Sequence, residues 1–137
     1  MRKLKGNSRG RNRRPPKPVN ADGTLVEMSS RDVWQAELIT RDEKSAGRVV
    51  REVVEPSMYT VRYLIVYRPE EERHVLLPAT SVQDILAGAV ACTLSAAEIG
   101  QLPTYGLTEI TRCDEKAIYD AADRTPHWIE EAGLHDR

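Results

Sequence analysis

The strongest structural signal in the chain lies in residues 47–78, GRVVREVVEPSMYTVRYLIVYRPEEERHVLLP. A valine-rich run follows Gly47 and is interrupted at Pro56, because proline lacks the amide hydrogen that a central strand must donate. Seven of the eight residues in 60–67 are β-branched, aromatic or leucine, which is the composition of a strand. A charged turn separates this run from a third one at 74–77. Turn signals at this spacing predict three antiparallel strands in a meander.

The flanking sequence predicts three more strands, at residues 33–39, 82–86 and 90–94. The first of them alternates apolar and polar side chains, so one of its faces is predicted to point into the core. The inward residues of that strand are Trp34, Ala36 and Leu38. Because the chain contains no Phe, the predicted core consists mainly of aliphatic and β-branched side chains.

Short helices are predicted after the last strand. Ser95 is a good N-cap for a single helical turn over 96–101, and Glu98 stands at the capping-box position. A second helix is predicted over 114–124, capped by Asp114, with a further turn at 127–134. A helix of this length is marginal in isolation, so it is expected either to pack on the sheet or to dock on a partner. The predicted contacts with a protein partner are Trp128, Ile118 and Tyr119.

The charge of the chain is strongly asymmetric. Residues 1–18 carry eight Lys or Arg and no acid, whereas the other 119 residues carry 12 basic and 21 acidic side chains. Residues 1–30 offer little apolar surface to offset their ordering entropy, so they are predicted to be a basic, extended arm that is disordered or ordered only by a partner. The arm is predicted to bind a polyanion through counterion release, or to be a solubilising leader without a fixed partner. Its basic residues are Arg2, Lys3, Lys5, Arg9, Arg11, Arg13, Arg14 and Lys17.

Targeting and cysteine signals point to a cytoplasmic protein with reduced thiols. The first residues lack the apolar run of a secretory signal, and no window of about 18 apolar residues predicts a membrane span. Cys92 and Cys113 show neither CxxC spacing nor a disulfide framework.

Catalytic and metal-binding signatures are missing from the sequence. His74, His127 and His135 have neither HExxH spacing nor a CxxC partner, so no metal or other cofactor is predicted. There is no GxSxG element and no glycine-rich phosphate loop. The acidic runs at 42–43 and 70–72 are typical of solvated loops. The sequence therefore predicts a protein that is not an enzyme.

An ordered series of segments carries a family resemblance: SAGRVVREVVEPSMYTVRYLIVY (45–67), HVLLPATSV (74–82) and VACTLSAAEIGQLPTY (90–105). Over roughly residues 33–105, about half of the chain, this series resembles the PRC-barrel family. The resemblance implies a small, strongly bent β-barrel of about six strands. Such barrels occur in the cytoplasmic part of the photosynthetic reaction-centre H subunit and in the C-terminal half of a ribosome-maturation factor. Their common property is protein–protein interaction, and the resemblance implies no catalytic residues.

The predicted architecture is thus mainly β, with a basic arm at 1–30, a six-stranded PRC-barrel-like domain at 31–106 and a helical extension at 107–137. The predicted function is a non-enzymatic protein–protein interaction or assembly module, tethered by its arm to a polyanionic or acidic partner. One alternative is an RNA- or ribosome-associated assembly factor. Another is a soluble accessory subunit at the cytoplasmic face of a photosynthetic or other membrane complex, which would meet the membrane only through that complex. A homo-oligomer is compatible with each of these.

Overall fold

The computed structural model describes residues 16–30 and 33–135. Within them, nine strands form one sheet, two 3₁₀ turns lie at Pro56–Met58 and Ala79–Ser81, and three α-helices complete the fold. The strands are β1 Lys17–Pro18, β2 Val26–Met28, β3 Glu37–Ile39, β4 Ser45–Glu55, β5 Thr60–Arg68, β6 Arg73–Pro78, β7 Val82–Leu86, β8 Ala89–Cys92 and β9 Thr104–Tyr105. The helices are α1 Ala96–Gln101, α2 Arg112–Ala121 and α3 His127–His135.

The predicted meander is confirmed as β4, β5 and β6, which pair antiparallel in chain order. Val49, Val66 and Val75 lie opposite one another on the three strands, and all three are fully buried. The five residues from 62 to 66 are all buried, so β5 is covered on both faces. The β-branched composition of this segment therefore corresponds to the centre of the sheet.

The sheet is open, and the predicted closure into a six-stranded barrel is wrong. The strand order is β7-β8-β3-β4-β5-β6-β9, with β2 beside the C-terminal half of β4 and β1 beside β2. The two ends do not pair with each other: among the described strands, β9 pairs with β6 alone and β7 with β8 alone. All six predicted strands are present, but β3 and β8 pair in parallel.

Residues 16–30 differ from the predicted arm because they belong to the sheet. β1 and β2 form a hairpin that adds to β4, and Val19 and Leu25 are buried in the core. The hairpin turns at Asp22-Gly23, where Gly23 has a φ of 72°. Tyr105 donates a 3.4 Å hydrogen bond to Oε1 of Glu27, so this hairpin also touches the opposite end of the sheet.

Trp34 does not point inward, contrary to the prediction. Ala36 and Leu38 are buried as expected, but the indole of Trp34 lies 61% exposed. The reason is Gln35, whose φ of 63° breaks the extended backbone, so that β3 begins only at Glu37. The inward-outward alternation of side chains therefore holds from Ala36 onward but does not extend back to Trp34.

Helices α1 and α2 begin at capping boxes. Ser95 and Glu98 form the predicted box at the start of α1. At α2 the N-cap is Thr111, and Asp114, predicted as the cap, is instead the third helical residue that completes the box. The C-terminal segment packs on the sheet, since Ile118, Tyr119 and Ala122 belong to the same core cluster as the strands.

Candidate interaction surface

Strand β7 is the longest of the exposed edge strands in the described sheet. All of its residues after Val82 are exposed, and two of them are large and apolar: Ile85 at 55% and Leu86 at 54%. Ile85 lies opposite the fully buried Val90 on β8, so it continues the core-facing side of the sheet past its edge. Leu86 is its neighbour along the strand and points to the other face. Both faces of this edge therefore present apolar side chains to solvent.

The other two edge strands of the described sheet, β1 and β9, are protected from pairing with another chain. β1 is two residues long and contains Pro18, and β9 is two residues long and follows Pro103. Short length and proline are the usual means by which an edge avoids pairing with another chain. β7 has five residues without Pro, Lys or Arg. Two features of β7 still oppose pairing with another chain: the bulge between Val82 and Asp84, and the charge of Asp84.

Asp84 occupies part of the edge itself. Its Oδ1 accepts a 2.9 Å hydrogen bond from the backbone N–H of Ile85, so one amide of the edge strand is satisfied by a side chain. An incoming strand would have to replace this contact. Asp84 therefore weakens the edge as a pairing site without closing it.

Charged residues lie near both ends of β7. At the Val82 end, Thr93 accepts hydrogen bonds from Arg41 at 2.9 Å and from Arg124 at 3.4 Å, and its own N–H donates to the carbonyl of Ser81 at 2.8 Å. At the Leu86 end, the exposed Glu37 lies opposite Ala89, which in turn lies opposite Leu86. Each end also holds a charge of the opposite sign: Arg41 pairs with Glu98 at 3.3 Å, and Glu37 lies opposite Arg48 on β4.

The residues predicted to bind a polyanion lie mostly outside the described part of the chain. Only Lys17 is described; it lies in β1, and its Nζ donates a 3.2 Å hydrogen bond to the carbonyl of Leu107. The other seven, Arg2 to Arg14, precede residue 16. Polyanion binding by the arm stays a prediction.

Two of the predicted protein-contact residues lie inside the core. Ile118 is 4% exposed and Tyr119 is 1% exposed. Trp128 is partly covered, because it packs edge-on against Tyr119 and lies under the guanidinium of Arg112, whose Cζ is 3.8 Å from the ring centroid. In this conformation these residues hold the helices on the sheet, and a partner would reach the first two only if α2 moved.

A polar cluster accompanies these aromatic contacts. The hydroxyl of Tyr63 on β5 donates a 2.6 Å hydrogen bond to Oε1 of the buried Glu115 on α2. Arg62, also on β5, pairs with Glu55 at 2.8 Å and with Glu131 on α3 at 2.9 Å. Burial raises the pKa of the Tyr63 phenol, so the hydroxyl stays a donor. The cluster fixes both C-terminal helices to the sheet.

A groove of about 610 Å³ lies where β4 begins and the β5–β6 turn approaches it. Its charged lining mixes bases and acids, and neither histidine nor cysteine lines it. The charged residues are Lys44, Arg48, Arg68, Glu37 and Glu70. This mixture favours neither an anion nor a cation.

The histidines and cysteines do not converge in the described part of the chain. No group of three metal-ligating side chains occurs among the described residues. Cys92 is buried, and burial raises the pKa of its thiol, whereas Cys113 is exposed on α2. His74 lies beside Tyr67, with ring centroids 4.9 Å apart, and burial lowers the pKa of its imidazole.

The acidic loops have structural contacts. Oδ1 of Asp42 accepts hydrogen bonds from the hydroxyl of Thr40 and from the N–H of Ala96, which lowers the pKa of its carboxyl and ties the β3–β4 loop to α1. Glu71 bridges Arg68 and Arg73 at 2.9 and 2.6 Å. These carboxylates stabilise loops and are not arranged as an acid–base pair.

Comparison with protein-family models and with curated protein sequences gives no match for this chain. None of the described helices combines the length and the apolar character needed to cross a lipid bilayer. The length of β7 and its exposed apolar residues single out this edge as the candidate contact surface. Sequence periodicity predicted β7 as a strand but contained no signal that it would be an edge.

Proposed function

We propose that this chain is a non-enzymatic protein-interaction module that pairs with its partner through the edge of β7. The observation that carries the proposal is the contrast between edges: β1 and β9 have two residues each and contain or adjoin a proline, whereas four of the five residues of β7 are exposed, Ile85 and Leu86 among them. An added strand gains main-chain hydrogen bonds, and the alternate side chains supply specificity.

The resemblance to PRC-barrel proteins supports the same proposal, because protein–protein interaction is the common property of that family. The finer assignment, to a module of PRC type, is likewise a proposal. It is supported by the order and spacing of the strands in 33–105, and the open sheet is its main departure from that family.

The basic arm is proposed to add an electrostatic contact. The described residues carry 11 Lys or Arg against 19 Asp or Glu, so the body is acidic while residues 1–15 are basic. Such an arm would raise the rate of association with an acidic partner and would lose its effect at high salt. Deleting residues 1–15 should therefore weaken binding mainly at low ionic strength.

A photo-crosslinking amino acid at Gln83, an exposed position of β7, tests the main proposal in cells that express the full chain. The same group at Lys116, exposed on α2, is the matched control. We expect a discrete adduct from position 83 that is absent from position 116 and is abolished by Ile85→Lys. Equal adducts from both positions, or none from 83, would exclude β7 as the contact.

A further inference from the structure

We infer that residues 11–15 of the basic arm (RNRRP) dock on the body of the same chain, in a groove between β9 and the start of α2. The inference goes beyond the β7 contact and does not depend on it. It is supported by the shape of the groove, by the charges on its rim and by the place where the arm joins the body. An arm docked in this way must be displaced before it can bind another molecule.

The groove has a volume of about 230 Å³, which is smaller than a typical small-molecule site and suits one long side chain. Its floor consists of side chains that belong to the core, and its rim is polar. The floor residues are Leu76, Tyr105, Ile110 and Ile118, and the rim residues include Thr104, Thr108, Glu109 and Asp114. An arginine can lay its methylene stem on such a floor while its guanidinium stays at the rim.

The rim is acidic. Among the described residues, the charged side chains that line the groove are Glu109 and Asp114. One oxygen of Asp114 accepts a 2.9 Å hydrogen bond from the N–H of Thr111 in the capping box. The Glu109 carboxylate is exposed and forms no ion pair or hydrogen bond with any described residue. A basic side chain in the groove would therefore meet a carboxylate that nothing in the described body occupies.

Two cations close to the groove are held by other groups. Arg112 lies over the ring of Trp128, with its Cζ 3.8 Å from the ring centroid. Arg73 donates a 3.2 Å hydrogen bond to Thr104 on the rim, but it also lies 2.6 Å from the carboxylate of Glu71. Neither cation pairs with a carboxylate of the rim, so the groove still favours a basic occupant.

The arm joins the body beside this groove. Nζ of Lys17 donates a 3.2 Å hydrogen bond to the carbonyl of Leu107, and the N–H of Ile110 donates to the carbonyl of Val19 at 2.6 Å. The loop 106–110 also supplies four of the residues that line the groove. Lys17, the last basic residue of the arm, therefore already contacts the loop that forms the rim.

Reach and tethering select the arm over a separate basic peptide. Arg14 and Arg13 are three and four residues before Lys17, so an extended chain places them at most about 14 Å from it. A segment tethered this closely has an effective concentration in the millimolar range, so weak contacts are sufficient to hold it. The same contacts made by a separate molecule would need a similarly high concentration.

Trypsin cleavage of the full chain, followed by mass spectrometry, tests the docking. Cleavage after Arg11 and Arg13 should be slower than cleavage after Lys3 and Lys5, which precede the docked segment and serve as the internal reference. Glu109→Lys should raise the relative rate after Arg11 and Arg13 about two- to fivefold, because it replaces an attractive charge with a repulsive one. Glu109→Gln should raise it less, and about 500 mM salt should also raise it in the wild type.

Glu43→Lys is the matched control, because Glu43 is an exposed acid of the β3–β4 loop and the change in net charge is the same. It should leave the relative rates unchanged, and circular dichroism should show that every variant folds. Equal relative rates in Glu109→Lys and Glu43→Lys would overturn the inference. So would protection that grows between about 10 µM and about 200 µM protein, because the arm would then dock on another copy. The β7 proposal fails separately, since the Gln83 adduct does not require a docked arm.

Discussion

The hydroxyl of Tyr63 donates a 2.6 Å hydrogen bond to Oε1 of Glu115, which joins the central strand β5 to helix α2 inside the core. Both residues are buried, at 0% and 4% exposure. Because a buried carboxylate without a donor is costly, this contact adds to the packing of Ile118 and Tyr119 against the strands. The C-terminal segment is therefore part of the folded body.

Tyr63→Phe should destabilise the protein by about 1–3 kcal/mol, because it removes the donor and leaves the buried Glu115 short of a partner. Urea denaturation followed by circular dichroism measures the change. Glu115→Gln is the control, since its amide oxygen can still accept from Tyr63, and its cost should be smaller. A Tyr63→Phe variant as stable as wild type would show that the hydrogen bond contributes little.

The two tryptophans should differ sharply in access to solvent. Trp34 is 61% exposed, whereas Trp128 is covered by Tyr119 and Arg112. With Trp128→Phe, the remaining fluorescence should be red-shifted and readily quenched by acrylamide. With Trp34→Phe, it should be blue-shifted and protected. Equal quenching of the two variants would contradict the outward position of Trp34.

Glu71 should titrate at a pH well below that of an ordinary glutamate. Hydrogen bonds from Arg68, and then from Arg73, lower its pKa from 4.5 to about 2. Because the folded-state pKa is depressed, the stability it contributes is present above about pH 4.5 and is lost as the pH falls through about 2. The side chain is 37% exposed, so solvent screening keeps this contribution small.

NMR chemical shifts of the carboxyl carbons check the titration directly. They are measured from about pH 1.5 to about pH 6, a range that includes the ordinary carboxyl pKa values. Glu71→Gln should also flatten the fall of the unfolding free energy over the same acid range, relative to Glu72→Gln in the same turn. A native Glu71 that titrates at its ordinary value would show that the two arginines do not hold it in solution.

Local signals in the sequence were sufficient for the central strands and for α1. Prolines and charged turns divide β4 from β5 and β5 from β6, and a serine followed three residues later by a glutamate marks the capping box. Each of these features determines the backbone conformation of only the few residues around it. The Asp22-Gly23 turn was an equally local signal for the β1–β2 hairpin, but the basic composition around it favoured an arm.

The remaining features depend on contacts between distant residues. The parallel pairing of β3 with β8 makes β7 an edge, and nothing in VQDIL encodes that position. The outward turn of Trp34 follows from the positive φ of Gln35, which side-chain alternation does not reveal. The sequence predicted Ile118 as a contact residue of this helix, but whether it would meet the sheet or a partner depends on tertiary packing.

Gly47 should be the least replaceable glycine of the central sheet. Its φ is 137°, and a Cβ at this position would overlap the carbonyl oxygen of Tyr67 on the paired strand β5 and approach Cγ1 of Val66 to 2.9 Å. Val66 is buried, and the Tyr67 oxygen belongs to the backbone of the paired strand, so neither can move without disturbing the pairing. Gly47→Ala should therefore cost about 3 kcal/mol or more, as the sum of backbone strain and overpacking.

Gly88→Ala is the matched control, because Gly88 also has a positive φ, 76°, but a Cβ there meets nothing within 4 Å. That variant should lose only the strain of the left-handed backbone, about 1 kcal/mol, in the same thermal or urea denaturation. Equal losses in the two variants would mean that strain alone matters and that the close approach of β4 to β5 at Gly47 does not.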